Sequence, residues 1–154
     1  MPIWDLILNK KTDQGTKRDF HEMYLNIAKE VGLKSRDEVY KVGAVLIDSS
    51  SNNFITFGYN GTPTGDCNET REKDGTTKPT VVHAETNAIC AAAKHGKATK
   101  GAILYTTISP CFECSRYIIQ AGIKEVIYGE VYKQEAIDYL SKFMKVRKYE
   151  GKKF

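Results

Sequence analysis

Apolar residues recur at helical spacing between Thr16 and Gly32, where Phe20, Met23, Tyr24, Ile27, Ala28 and Val31 share one face. This predicts an amphipathic helix that Gly32 ends. The period then changes. Val42 to Ile47 is a continuous β-branched and apolar run, read as a strand covered on both faces. A polar turn over 48–53 leads into a second strand, Phe54 to Tyr59, which closes a hairpin. Asn60 to Thr80 is rich in Gly, Thr, Pro and Asp, and a loop of that length inside a compact domain is a candidate functional segment. Ala84 to about His95 reads as a strongly apolar helix, on which Cys90 is expected to be buried as a small hydrophobe.

Ala102 to Thr106 is the next strand. Cys111 to Gly122 follows as a helix with Cys114, Tyr117, Ile118 and Ala121 on one face and Gly122 as its stop. Glu125 to Tyr128 is a strand, Lys133 to Phe143 a helix with Ala136, Ile137 and Leu140 inward, and Met144 to Tyr149 a short last strand. The tail Lys152-Lys153-Phe154 reads as frayed. Strand–helix–strand units imply parallel neighbours, and the opening hairpin adds an antiparallel pair. The expected architecture is a single domain over 1–154, a three-layer α/β/α sandwich with a mixed, roughly five-stranded central sheet.

Composition narrows the function classes. With 154 residues, 41% hydrophobic and 27% charged, the chain can bury a core without a disulfide framework. The net charge of +4 suits an anionic small molecule and is too weak to argue for nucleic acid. The start, MPIWDLILNKK, lacks a signal-peptide pattern, and no apolar stretch is long enough for a bilayer span, so a cytoplasmic location is expected. In that compartment close cysteines read as metal or catalytic sites, and the sequon Asn68-Glu69-Thr70 carries no weight.

Chemistry concentrates in His83-Ala84-Glu85 and, one strand later, Pro110-Cys111-Phe112-Glu113-Cys114. Cys111 and Cys114 lie one helical turn apart, so both thiols can face one point, and the positive helix start favours the thiolate. His83 opens another helix and supplies a third donor. Zinc takes sulfur and imidazole nitrogen tetrahedrally, and three protein ligands leave a position for water, whose pKa the metal brings down to about 7. Glu85, two residues past His83, need not coordinate and can reach that water as a proton shuttle. The pairing resembles the H-x-E…P-C-x-x-C signature of zinc-dependent nucleobase deaminases. A structural zinc knuckle would need a fourth ligand, and Cys67, Cys90, His95 and His21 have no evident spacing to the pair.

Further segments extend the resemblance to the deoxycytidylate deaminase family of the cytidine deaminase-like superfamily. Ser35-Arg36-Asp37 with Lys41-Val42-Gly43-Ala44-Val45 is similar to the family's S-K-D…V-G-A-V entry, with Arg in place of Lys. Gly58-Tyr59-Asn60-Gly61-Thr62-Pro63, His83 to Ile89, Tyr105-Thr106-Thr107 and Gln120-Ala121-Gly122-Ile123 match further segments. The resemblance implies hydrolysis of dCMP to dUMP and ammonia, supplying dUMP for thymidylate synthesis. It gives Asn60 the sugar 3′-hydroxyl, the Ala84 N–H the base O2, and the Ser109 carbonyl the exocyclic amine, and offers Tyr132 as a phosphate contact. It also implies a homohexamer activated by dCTP and inhibited by dTTP. The effector, with Mg2+ on its triphosphate, is expected near Arg36, Gly58, Tyr59, Gly61, Thr62, Gly65 and Asp66. Arg36, Lys41, Arg71 and Arg116 are the candidate cations for a phosphate. A second, structural zinc involving Cys67 stays open. Two other classes stay in view: a nucleic-acid deaminase using the basic cluster Lys142, Lys145, Arg147, Lys148, Lys152 and Lys153, and a non-catalytic zinc-stabilised binding module.

Overall fold

A computed structural model of the chain describes residues 20–151. The expected helix turn at 16–19, the leader reading at the N-terminus and the tail at 152–154 lie outside those residues. The chain runs α1 (Phe20–Gly32), β1 (Gly43–Ile47), β2 (Phe54–Tyr59), α2 (Ala84–Lys94), β3 (Ile103–Ile108), α3 (Phe112–Gln120), β4 (Glu125–Glu130), α4 (Gln134–Leu140) and β5 (Lys145–Lys148). The five strands form one sheet in the order β2-β1-β3-β4-β5. β1 is antiparallel to β2 and β3, whereas β3, β4 and β5 run parallel.

Alternation along the strands builds the layers, since successive side chains point to opposite faces. Ala44, Leu46, Leu104 and Val126 turn to one face, where they meet Ala84 and Ala88 of α2, Cys114 and Ile118 of α3, and Leu140 of α4. Val45, Ile47, Tyr105 and Ile127 turn to the other, against Tyr24, Leu25 and Ala28 of α1. The sheet is therefore covered on both sides, the expected three-layer sandwich. Each fully buried Leu, Ile or Val contributes about 1.5–3 kcal/mol relative to exposure.

Three local expectations are corrected. The buried face of α1 is Tyr24, Leu25, Ala28 and Gly32, with Phe20 and Met23 largely exposed. Gly32 closes α1 from inside: a Cβ there would meet Gly43 N and Lys41 O at 2.9 Å, so its smallness lets the chain fold back closely. Cys90 is exposed, because α2 buries Ala84, Glu85, Ala88 and Ala92 instead. Tyr117 is exposed on α3, while Cys114, Ser115 and Ile118 are buried. Gly122 does end α3, with φ +72 in the left-handed region.

The segment 61–82 is tied down at both scales. Gly61 and Val82 form an antiparallel bridge at its base, and Arg71 and Thr77 another at its tip. Asp74 caps that tip turn by accepting from the Thr76 N–H and hydroxyl at 3.0 and 2.7 Å. Among the described residues, no helix is long and apolar enough to cross a membrane.

Candidate active site

Two helix starts meet beside the carboxyl end of β3. His83 is the N-cap of α2 and Cys111 the N-cap of α3, both with extended backbone. Cys111 thus stands just outside the helix expected to begin with it, and its sulfur accepts from the Cys114 N–H at 3.5 Å. The Ser115 hydroxyl donates to the Cys111 carbonyl at 2.8 Å, which stiffens the turn. α2 and α3 share the core formed by Ala84, Ala88, Cys114 and Ile118, so packing fixes both helix starts relative to each other.

His83 Nδ1 lies 3.4 Å from Cys111 Sγ and 3.4 Å from Cys114 Sγ. Zinc bonds of about 2.3 Å to sulfur and about 2.0 Å to nitrogen, at tetrahedral angles, set such atoms about 3.6 Å apart. One imidazole and two thiols at this spacing therefore fit zinc. Among the described residues they are the one His/Cys/Asp/Glu group so clustered, with no fourth side chain in the set. Cys67 is exposed and outside it. The thiols share their charge unequally. The hydrogen bond with Cys114 holds Cys111 down at about 4, His83 adding to the effect. Cys114 is correspondingly pushed up, by that same bond and by burial. The Cys111 bond raises His83 above its ordinary value, against burial.

Glu85 is 4% exposed, and its Oε2 accepts from Cys114 Sγ at 3.7 Å. Burial lifts its carboxyl to about 7, the range in which a group both takes and returns a proton near neutrality. A divalent cation beside it would draw that value back down.

A cavity of about 110 Å³ opens onto this cluster, lined by His83, Glu85 and Cys111 at one end and by Tyr40, Arg71 and Tyr132 elsewhere. Asn60, Ala84, Ser109 and Tyr132, expected to touch substrate, all line it. Asn60 is held in place by its own amide: Oδ1 accepts from Val42 N–H at 2.9 Å and Nδ2 donates to the Tyr40 carbonyl at 2.8 Å. One N–H and one lone pair of that amide remain for a ligand. The Ser109 hydroxyl accepts from Tyr132 N–H at 2.8 Å, fixing the segment after β4 against the end of β3.

The residues assigned to an effector lie elsewhere. Arg36, Gly58, Tyr59, Gly61, Thr62, Gly65 and Asp66 are absent from the cavity wall. Arg36, Gly65 and Asp66 are exposed, and Asp66 Oδ1 accepts from Cys67 N–H. Gly58 is buried beneath α2, where a Cβ would run into the Ala84 carbonyl oxygen. Asp37, Tyr40, Thr77 and Val81 were given no role by the sequence, yet all line the cavity. Their signal was the Ser35-Arg36-Asp37 motif and the length of the 60–80 loop.

The family described as the cytidine and deoxycytidylate deaminase zinc-binding region matches residues 18–130, which include all three donors and Glu85. Deoxycytidylate deaminase of Homo sapiens is 39% identical over 118 residues, covering 71% of this chain. This chain spans 64% of that relative's length. Deoxycytidylate deaminase of Enterobacteria phage T4 is 32% identical, covering 70% of this chain and 76% of its own. The dCMP deaminase of cyanophage S-TIM5, solved in complex with dCMP and dUMP, superposes with a TM-score of 0.82 at 36% identity. That match covers 87% of this chain and 99% of the cyanophage chain. The imidazole–dithiol cluster, the buried carboxyl beside it and the matched segment agree: the chain belongs to the cytidine and deoxycytidylate deaminase family.

Proposed function

We propose that the chain hydrolyses dCMP to dUMP and ammonia. The observation that carries this reading is the buried Glu85 carboxyl sharing one cavity with the His83 and Cys111 donors, with the buried Cys114 Sγ 3.4 Å from His83 Nδ1. The likeness to a cyanophage dCMP deaminase solved with dCMP and dUMP supports the substrate. Zinc on His83, Cys111 and Cys114 would supply an acidified water as nucleophile. Glu85 accepts a proton as the water oxygen bonds to carbon 4 of the base, and delivers it to N3. A second proton passes through Glu85 to the exocyclic nitrogen as the C–N bond breaks and ammonia leaves. Asn60 offers its remaining amide groups to the sugar 3′-hydroxyl, the Ala84 N–H meets the base O2, and the Ser109 carbonyl holds the exocyclic amine.

The product would feed thymidylate synthesis. The reading includes a homohexamer, with dCTP activating and dTTP inhibiting at the 59–66 segment, where Tyr59, Gly65 and Asp66 are exposed. There Gly61 and Gly65 leave open space for a phosphate, and Asp66 suits Mg2+. Gly58 and Arg36 belong to that proposed site, Gly58 through its packing under α2. The test is deamination of cytosine nucleosides and mono-, di- and triphosphates by the zinc-loaded chain, with and without dCTP or dTTP. Turnover of dCMP is expected to exceed that of the others, and inertness toward dCMP overturns the reading. Glu85→Gln should keep its zinc and lose roughly 10²- to 10⁴-fold in kcat. A variant with near wild-type turnover removes Glu85 from the proton path.

A further inference from the structure

Among the described residues, Arg71 is the one cationic side chain in the cavity wall apart from His83, which belongs to the metal cluster. Arg36, Lys41 and Arg116 do not line the cavity, and the Lys41 ammonium is engaged by the Ser35 carbonyl. Lys133 lies over the Tyr132 ring, 5.3 Å from its centroid, and is also outside the wall.

The guanidinium is held from several sides. Nη2 donates to Asp37 Oδ1 at 2.7 Å and Nη1 to the Gly75 carbonyl at 3.1 Å. Its carbon sits over the Tyr40 ring, 5.4 Å from the centroid. Asp37, only 1% exposed, is itself fixed: the same Oδ1 accepts from the Val39 and Tyr40 N–H groups at 2.9 and 2.7 Å. A guanidinium has five N–H bonds, and two are used here. Nε is buried and has no hydrogen-bond partner, and the same holds for Asp37 Oδ2 on the carboxylate beside it. Buried donors are nearly always paired, so an orphan on a rigidly held cation in a cavity wall marks a group waiting for an anion. Nε with a neighbouring Nη is the pair that grips two phosphate oxygens at once.

We infer that Arg71 binds the 5′-phosphate of the substrate and is the residue that selects a nucleotide over a nucleoside, with Asp37 as the positioning residue that aims it. The inference rests on the proposed dCMP reading for the identity of the anion.

The test uses the zinc-loaded full chain and its Arg71→Met and Arg71→Lys variants. It measures kcat/KM for dCMP and deoxycytidine, and calorimetric affinity for dUMP and deoxyuridine. Losing a two-pronged charged contact should cost Arg71→Met roughly 10- to 100-fold on dCMP and on dUMP affinity. The nucleoside arms should fall far less, and Arg71→Lys should lie between, keeping the charge without the fork. Equal losses on nucleotide and nucleoside mean that Arg71 only braces the 70–78 hairpin, which overturns the inference, as does undiminished dUMP affinity. A wild-type chain inert toward dCMP would instead overturn the proposed reaction.

Discussion

Gly58 separates two accounts of the same residue. The family resemblance places it beside an effector, whereas the fold gives it a mechanical task. A Cβ at Gly58 would collide with the Ala84 carbonyl oxygen and lie 2.5 Å from Ala88 N and 2.9 Å from Asn87 Cβ. Two of these obstacles are helix backbone, so relief requires β2 and α2 to separate. Gly58→Ala should therefore cost about 1–3 kcal/mol as overpacking. For a chain of this size that lowers Tm by about 2–12 °C. Gly61, three residues on, is the control: a Cβ there meets nothing within 4 Å, and its φ is not in the left-handed region. Gly61→Ala should stay within about 0.5 kcal/mol of wild type. α2 begins with Ala84 and Glu85, so the displaced helix start should also lower dCMP turnover, by up to roughly 100-fold for a shift near 1 Å. Thermal unfolding by circular dichroism and steady-state rates at 25 °C read both effects. Gly58→Ala melting within about 1 °C of wild type, or Gly61→Ala falling as far, refutes the packing account.

Cys111→Ala removes a donor and the N-cap sulfur of α3 together, so the purified variant should carry little zinc by elemental analysis, whereas wild type stripped by a chelator should regain activity on adding zinc. Full zinc in the variant would show that the metal does not use this thiol. Asp37 gives the acid limb of stability: burial raises its pKa, but hydrogen bonds from Arg71, Tyr40, Val39 and Thr70 outweigh that and hold it at about 2, against 3.8 when exposed. The folded value is the depressed one, so the contribution is present above pH 4 and lost as pH falls toward 2, about 2 kcal/mol in all. Asp37→Asn should flatten the drop in urea stability between pH 4 and pH 2, and an unchanged slope would mean that other carboxylates carry it.

What the sequence disclosed and what it withheld divide by the range of the interactions involved. The strands and helices were visible because their burial is periodic, and the donor set because each half is a short local motif on a helix start. The errors occur where one-dimensional pattern is degenerate. α1 carries apolar residues around more than one face, so Leu25 rather than Met23 reaching the core is decided by its fit to Val45 and Tyr105. On α2, Ala91, Ala92 and Ala93 are small all round, and nothing local says that Cys90 faces out. The Arg71–Asp37 pair spans 34 residues between two loops and leaves no periodic trace. An Arg in a Gly- and Thr-rich stretch looks like a solvated charge until Asp37 is found beneath it.

These ranges of interaction also divide the labour of the cavity. Its metal end is built from helix N-caps locked by a shared core, which suits atoms that must keep bonding distances through every turnover. The end proposed to take the phosphate is built from a hairpin tip held by one buried ion pair and the Tyr40 ring, with Tyr132 6.5 Å from Tyr40. The segment 35–42 joins the two. Its Ser35 hydroxyl donates to the Asn60 carbonyl at 2.7 Å, Asn60 returns bonds to Tyr40 and Val42, and Asp37 grips Arg71. The groups proposed for the substrate sugar and phosphate and the wall beside the donor cluster thus refer to one short stretch of backbone. A change in 35–42 should therefore disturb recognition of the whole nucleotide, whereas changes at either end of the cavity act on one part of it. The same economy explains why the Ser35-Arg36-Asp37 and Asn60 motifs stand out in sequence although neither touches the metal: each holds backbone against which ligand-facing groups are aimed.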